Sequence, residues 1–132
     1  MFTTTLIALA GAAMQAPADP VVVEGRRETA GHGFGYADLA EGRDQDAVRD
    51  IEQNGAADAA DPARLINLGI AHARLGNTEQ ARALFERVRA MGDASRLETA
   101  GGEWIAPRQI AIRALRELDA GNFAERAQMA AR

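Results

Sequence analysis

Shifting the chain by 34 residues against itself brings Gly42 onto Gly76, Ala47 onto Ala81, Arg49 onto Ala83 and Ile51 onto Phe85. Three of these four positions keep size or character. A period of this length belongs to helix–turn–helix units, each of which buries its apolar face only by stacking on a neighbour. The spacing calls for an all-α fold, a short array of antiparallel helix pairs. Composition points the same way. Of the 132 residues 30 are alanine, which supplies almost half of the 47% hydrophobic fraction and buries little area per side chain. Such a chain fills its core by bringing helices close together, and its length suits one domain.

The best-formed unit covers residues 62–92. Asp61 suits a helix N-cap and Pro62 the first helical position, where a missing N–H has no helical partner to lose. The first helix is expected to run to about Leu75, with Leu65, Leu68, Gly69 and His72 at helical spacing on one face. Gly76 supplies a left-handed stop. Asn77 then caps a second helix, with Gln80 placed to reach back to its backbone. That helix presents Ala81, Leu84, Phe85 and Val88 at i, i+3, i+4 and i+7 before Met91-Gly92-Asp93 closes it. Gly69 and Ala81 are small where the two helices must approach.

The stretch LINLGIAHARLGNTEQARALFERV, residues 65–88, resembles the tetratricopeptide repeat family. Leu65 stands at that motif's usual tryptophan position, and Asn67, Leu68 and Gly69 match its Asn-Leu-Gly signature. Ala71, Leu75 and Gly76 match the rest of the first helix and its turn; Ala81 and Phe85 match the small and aromatic positions of the second. His72 replaces the usual tyrosine, Val88 the usual alanine, and Asp93 stands where proline often follows. The resemblance covers about a quarter of the chain and implies an α-solenoid. Its repeat-packing residues would be Leu65, Leu68, Gly69, His72, Gly76, Ala81, Phe85 and Val88. It also implies a protein-binding adaptor whose first helices line a groove for a peptide or partner helix, here Ala63, Ile66, Asn67, Ile70, Ala73 and Arg74. That set offers apolar anchoring with one amide and one cation, unlike the multiply cationic clamps of some family members. Fewer than three full repeats make a marginal solenoid, so flanking units must cap it or self-association must cover its open face.

Both flanks carry partial units, so the TPR-like helical domain spans residues 36–132. Residues 42–51 resemble the second helix of a preceding repeat whose first helix shrinks to about residues 36–40, because glycines at 31, 33 and 35 leave no room for more. Downstream, Pro107 again starts a helix, with Ile110, Ala111, Ala114, Leu115 and Leu118 as its apolar stripe. Gly121-Asn122 mirrors Gly76-Asn77 at 45 residues rather than 34, which implies an insertion of about 11 residues, 93–103. A last helix covers residues 123–131. Trp104, at the edge of the insertion, is expected to pack inward as a plug.

Residues 1–16 carry no charged side chain, and the apolar run 6–14 is followed by small residues, as in a secretory signal peptide. Cleavage after Ala12 or Ala16 suits this pattern. Export, to the periplasm, is the expectation, with no transmembrane span, since nine apolar residues are too few to cross a bilayer. Residues 17–35 read as a flexible, disordered tether containing Val21-Val22-Val23, which suits a short strand. The stretch VVVEGRR, residues 21–27, faintly resembles the energy-coupling box of TonB-dependent outer-membrane receptors, although the rest of the chain cannot build their barrel. A segment of this kind can add a strand to a sheet edge.

Charge is unevenly spread. Residues 1–66 carry 11 acidic and 5 basic side chains, for −6, and residues 67–132 carry 8 and 10, for +2, so nucleic acid is a poor partner for the front half. Eight carboxylates lie between Asp38 and Asp61 against Arg43 and Arg49 alone. They read as a solvated helix face; the alternative is a structural or regulatory helical protein that docks cationic partners through this acidic 38–61 face. Their spacing lacks the calcium-binding loop pattern. With no cysteine, thiol nucleophiles, disulfides and cysteine zinc sites are excluded. Ser95, the only serine, has no nucleophile-elbow neighbours, and Gly31-His32-Gly33-Phe34-Gly35 lacks the strand and helix of a dinucleotide site. His72 is expected in packing. No metal, no cofactor and no catalytic residue is expected, and the protein is not expected to be an enzyme.

Overall fold

A computed structural model describes residues 23–24, 35–54, 59–92 and 96–130. The expected signal segment and His32 lie outside the described residues, as does the expected tether except for 23–24 and Gly35. Chain order is β1 (Val23–Glu24), α1 (Tyr36–Ala40), α2 (Asp44–Asn54), α3 (Pro62–Arg74), α4 (Thr78–Arg89), β2 (Leu97–Thr99), β3 (Trp104–Ile105), α5 (Pro107–Asp119) and α6 (Asn122–Ala130). The fold is mostly helical, as expected of an all-α chain, with a small three-stranded sheet that the helical periodicity does not announce.

The helix ends follow local chemistry. An Asp61 Oδ1 accepts from the amides of Ala63 at 2.8 Å and Arg64 at 3.4 Å, which satisfies two of the four donors that a helix start leaves open. Pro62 occupies the first turn, and Pro107 does the same for α5. At the other end of α3, Gly76 takes φ +84° and its amide donates to the Ala73 carbonyl at 3.2 Å, while the Asn77 amide donates to the His72 carbonyl at 2.8 Å. The same bonds recur 34 residues earlier. Gly42, at φ +75°, donates to Leu39 at 3.2 Å, Arg43 donates to Asp38 at 2.8 Å, and Ala47 donates to Arg43 at 3.0 Å just as Ala81 does to Asn77. Gly121, at φ +75°, donates to Leu118 at 3.1 Å between α5 and α6. One expectation fails at this turn: the Asn77 side chain makes no cap bond to α4, and its amide nitrogen meets His72 Nδ1 at 3.1 Å instead. That contact turns the Asn77 side chain toward the last turn of α3 and leaves its Oδ1 without a cap bond to the α4 amides.

α3 is the centre of the molecule. It packs on α1, α2, α4, α5 and α6, and β1 also lies against it. Nine of its 13 residues are buried. Its tightest approach is to α4, where a Cβ placed on Gly69 would lie 2.6 Å from Phe85 Cε1. Glycine is therefore a steric requirement there, and Ala81, fully buried, serves the same close packing from the α4 side. Phe85 in turn stacks on Phe123 of α6 with ring centroids 6.2 Å apart. Burying each such ring contributes about 1.5–3 kcal/mol, so this pair ties the last helix to the central hairpin.

The insertion after α4 is more ordered than a spacer. Leu97 pairs with Ile105 and Glu98 with Trp104 in an antiparallel hairpin, and Gly102, at φ +81°, donates to the Thr99 carbonyl at 2.8 Å to close its turn. Alternation along β3 turns Ile105 inward and Trp104 outward, and Trp104 is 60% exposed. The expectation of an inward plug is thus overturned by a strand register. β1 completes the sheet, in the order β1-β2-β3, with Val23 opposite Thr99 and Glu24 opposite Glu98. Part of the expected tether is therefore a strand of the fold.

Candidate functional site

The residues expected to line a partner groove are covered within the chain. Ile66, Asn67 and Ile70 are 0% exposed, Ala63 2% and Ala73 3%. Arg74, the cation of that set, is engaged as well: its Nη1 donates to the Leu39 carbonyl at 2.8 Å and meets Asp44 Oδ1 at 3.2 Å, with both side chains nearly buried. It pins the end of α3 to α1 and the start of α2. An open groove along the first helices requires a free flank on α3, and here six elements surround that helix. Of the residues expected to pack, Leu65, Leu68, Gly69, Ala81, Phe85 and Val88 are buried, whereas Gly76 is an exposed turn and His72 half-buried.

His72 instead borders a solvent-open cleft of about 350 Å³, lined by Gln45, Val48, Arg49 and Glu52 of α2, by His72 and Leu75 at the end of α3, and by Asn77. The α2 residues recur at i, i+3, i+4 and i+7, so they form one stripe along that helix, beside the buried Ala47 and Ile51. Val48 and Leu75, the latter 37% exposed, supply an apolar floor. Arg49 and Glu52 put one cation and one anion on its rim, and the Asn77 contact at Nδ1 leaves the imidazole Nε2 for a second hydrogen bond. An open, shallow surface of this kind fits a partner side chain or helix edge better than an enclosed small molecule. Sequence reasoning missed Gln45, Val48, Arg49 and Glu52 because they lie within a segment read as an acidic face, and Leu75 because it read as the end of the first helix of the repeat. The available signal was the stripe itself.

Most of the acidic face is already engaged. Arg43 reaches Asp38 at 2.6 Å, Glu41, and Asp46 at 3.8 Å; Arg49 reaches Asp46 at 3.5 Å; Arg74 holds Asp44; and Asp61 caps α3. Asp58 lies outside the described residues. Among these contacts Arg74 is the cation that comes from outside residues 38–61, so the fold holds the acidic side chains in place more than it changes their balance of charge. Among the described residues, no group of three or more histidines and carboxylates could hold a metal ion, and no helix is long and apolar enough to cross a membrane.

Comparison of the chain with protein-family models, curated proteins and solved structures finds no match.

Proposed function

We propose that this protein is a non-catalytic interaction module of the tetratricopeptide type, exported to the cell envelope, which holds a peptide or helix of a partner protein at the α2–α3 cleft. The observation that carries the proposal is the recurrence, 34 residues apart, of one helix–turn–helix geometry down to individual backbone bonds: Gly42 to Leu39 and Gly76 to Ala73, Arg43 to Asp38 and Asn77 to His72. Repeating hairpins of this length serve as scaffolds for protein contacts rather than as catalytic frames. The uncharged, apolar start of the chain supports export.

The working surface differs from the one that the family resemblance implies. With α3 enclosed, contact shifts to Val48, Leu75 and the rim of Arg49, Glu52 and His72. Leu75→Arg puts a charge on the exposed part of the floor, and Val48→Arg puts one at a half-buried residue that also packs against the core. Leu75→Arg is expected to keep its melting temperature within a few degrees and Val48→Arg to lower it further, and both, assayed below their melting temperatures, are expected to lose crosslinked partners from envelope extracts. Retention of the same adducts by both variants would refute the cleft. Salt separates this mode from acidic docking: an apolar cleft holds its partner between low and physiological salt, whereas contact through carboxylates weakens steeply.

A further inference from the structure

β1 is held on β2 by a two-residue antiparallel ladder, Val23 opposite Thr99 and Glu24 opposite Glu98, and it also lies against α3. Ten residues, 25–34, join it to Gly35 and α1, and three of them are glycine. Fully extended, ten residues span at most about 35 Å, enough to reach a neighbouring copy. Every chain thus carries both a donor strand and an acceptor edge that fit each other, with ten residues of chain between the donor strand and the helical part.

We propose that the β2 edge is a strand-acceptor site and that its second occupant is β1 of another copy of this chain, exchanged reciprocally to give a two-fold dimer. Identical backbone pairs form within one chain and between two, so exchange needs no new complementary surface, and a closed pair leaves neither acceptor unfilled. A ladder this short opens at low cost compared with the helical core. The balance is then set by concentration, because the within-chain pair competes only through the effective concentration that its link imposes. Self-association of this kind rests on β1 and β2, not on the α2–α3 cleft, and stands or falls separately from it.

The chain lacks cysteine, so engineered thiols report without background. Full chains carrying Glu24→Cys and Glu98→Cys singly are mixed, equilibrated and oxidised, alongside the double variant and a Gln53→Cys control on the exposed face of α2. Exchange predicts a disulfide-linked heterodimer of the two single variants, rising with protein concentration and absent when Gln53→Cys replaces Glu24→Cys. It also predicts that Glu24→Pro, which removes the amide donor of the Glu24–Glu98 pair, returns the untagged chain to monomer in sedimentation. A disulfide formed only within the double variant overturns the proposal, because the strand then stays at home. No disulfide in either arrangement also overturns it, as does a dimer that survives Glu24→Pro.

Discussion

The two hairpins α1–α2 and α3–α4 share one turn and differ in nearly everything around it. Both turn on a glycine at positive φ with matching backbone bonds, and both place a buried alanine and a buried large residue on the second helix, Ala47 with Ile51 and Ala81 with Phe85. Yet α1 has five residues and α3 has 13, and α3 is enclosed while the α2 stripe faces solvent. Turn geometry is thus a local property of a few residues, whereas the open or closed state of a helix face depends on what packs from elsewhere. The cleft lies where the shorter hairpin meets the longer one.

The comparison breaks most visibly at its large buried residues. Phe85→Ala is expected to cost about 3–5 kcal/mol, since the ring touches Gly69 and stacks on Phe123. Ile51→Ala, at the matching position, is expected to cost about 2–3 kcal/mol. Urea unfolding ranks the two, and equal losses would mean that the second hairpin is no more central than the first. Next comes Gly69→Ala, expected to destabilise by about 1–3 kcal/mol by pushing a methyl into the Phe85 ring. Adding Phe85→Leu should recover part of that loss; if the double variant is worse than the additive sum, the steric explanation fails. The smallest and most symmetrical effect belongs to the turns. A Cβ on Gly42 or Gly76 meets nothing within 4 Å, so alanine at either site should cost only the left-handed backbone strain, about 1–2 kcal/mol and equal in both. Thermal melts that differ widely between Gly42→Ala and Gly76→Ala would show that the turns are not equivalent.

What the sequence makes legible divides along the same line. Asp61, Pro62, Gly76, Pro107 and Gly121 fix helix ends through short-range chemistry, and the structure places those ends within a residue or two of expectation. The close approach at Gly69 is legible too, because smallness at one spacing has one steric meaning. The enclosure of Ile66, Asn67 and Ile70 is not, since α5, α6 and β1 reach α3 from distant parts of the chain and helical periodicity records only that a face is apolar. β2 and β3 are three and two residues long, too short for alternation to register, so Trp104 reads as an inward aromatic until its pairing with Glu98 sets its side. The carboxylates of residues 38–61 show their number in the sequence, with Arg43 and Arg49 beside them, but not Arg74, which reaches Asp44 from α3.

The sharpest test places a photo-crosslinking residue at Leu75, in the cleft, and separately at Gln109, exposed on α5, and irradiates both chains in envelope extracts. Contact through the α2–α3 cleft predicts discrete protein adducts from position 75 that disappear with Val48→Arg, and none of these from position 109. Adducts confined to position 109, or adducts at position 75 indifferent to Val48→Arg, would contradict it.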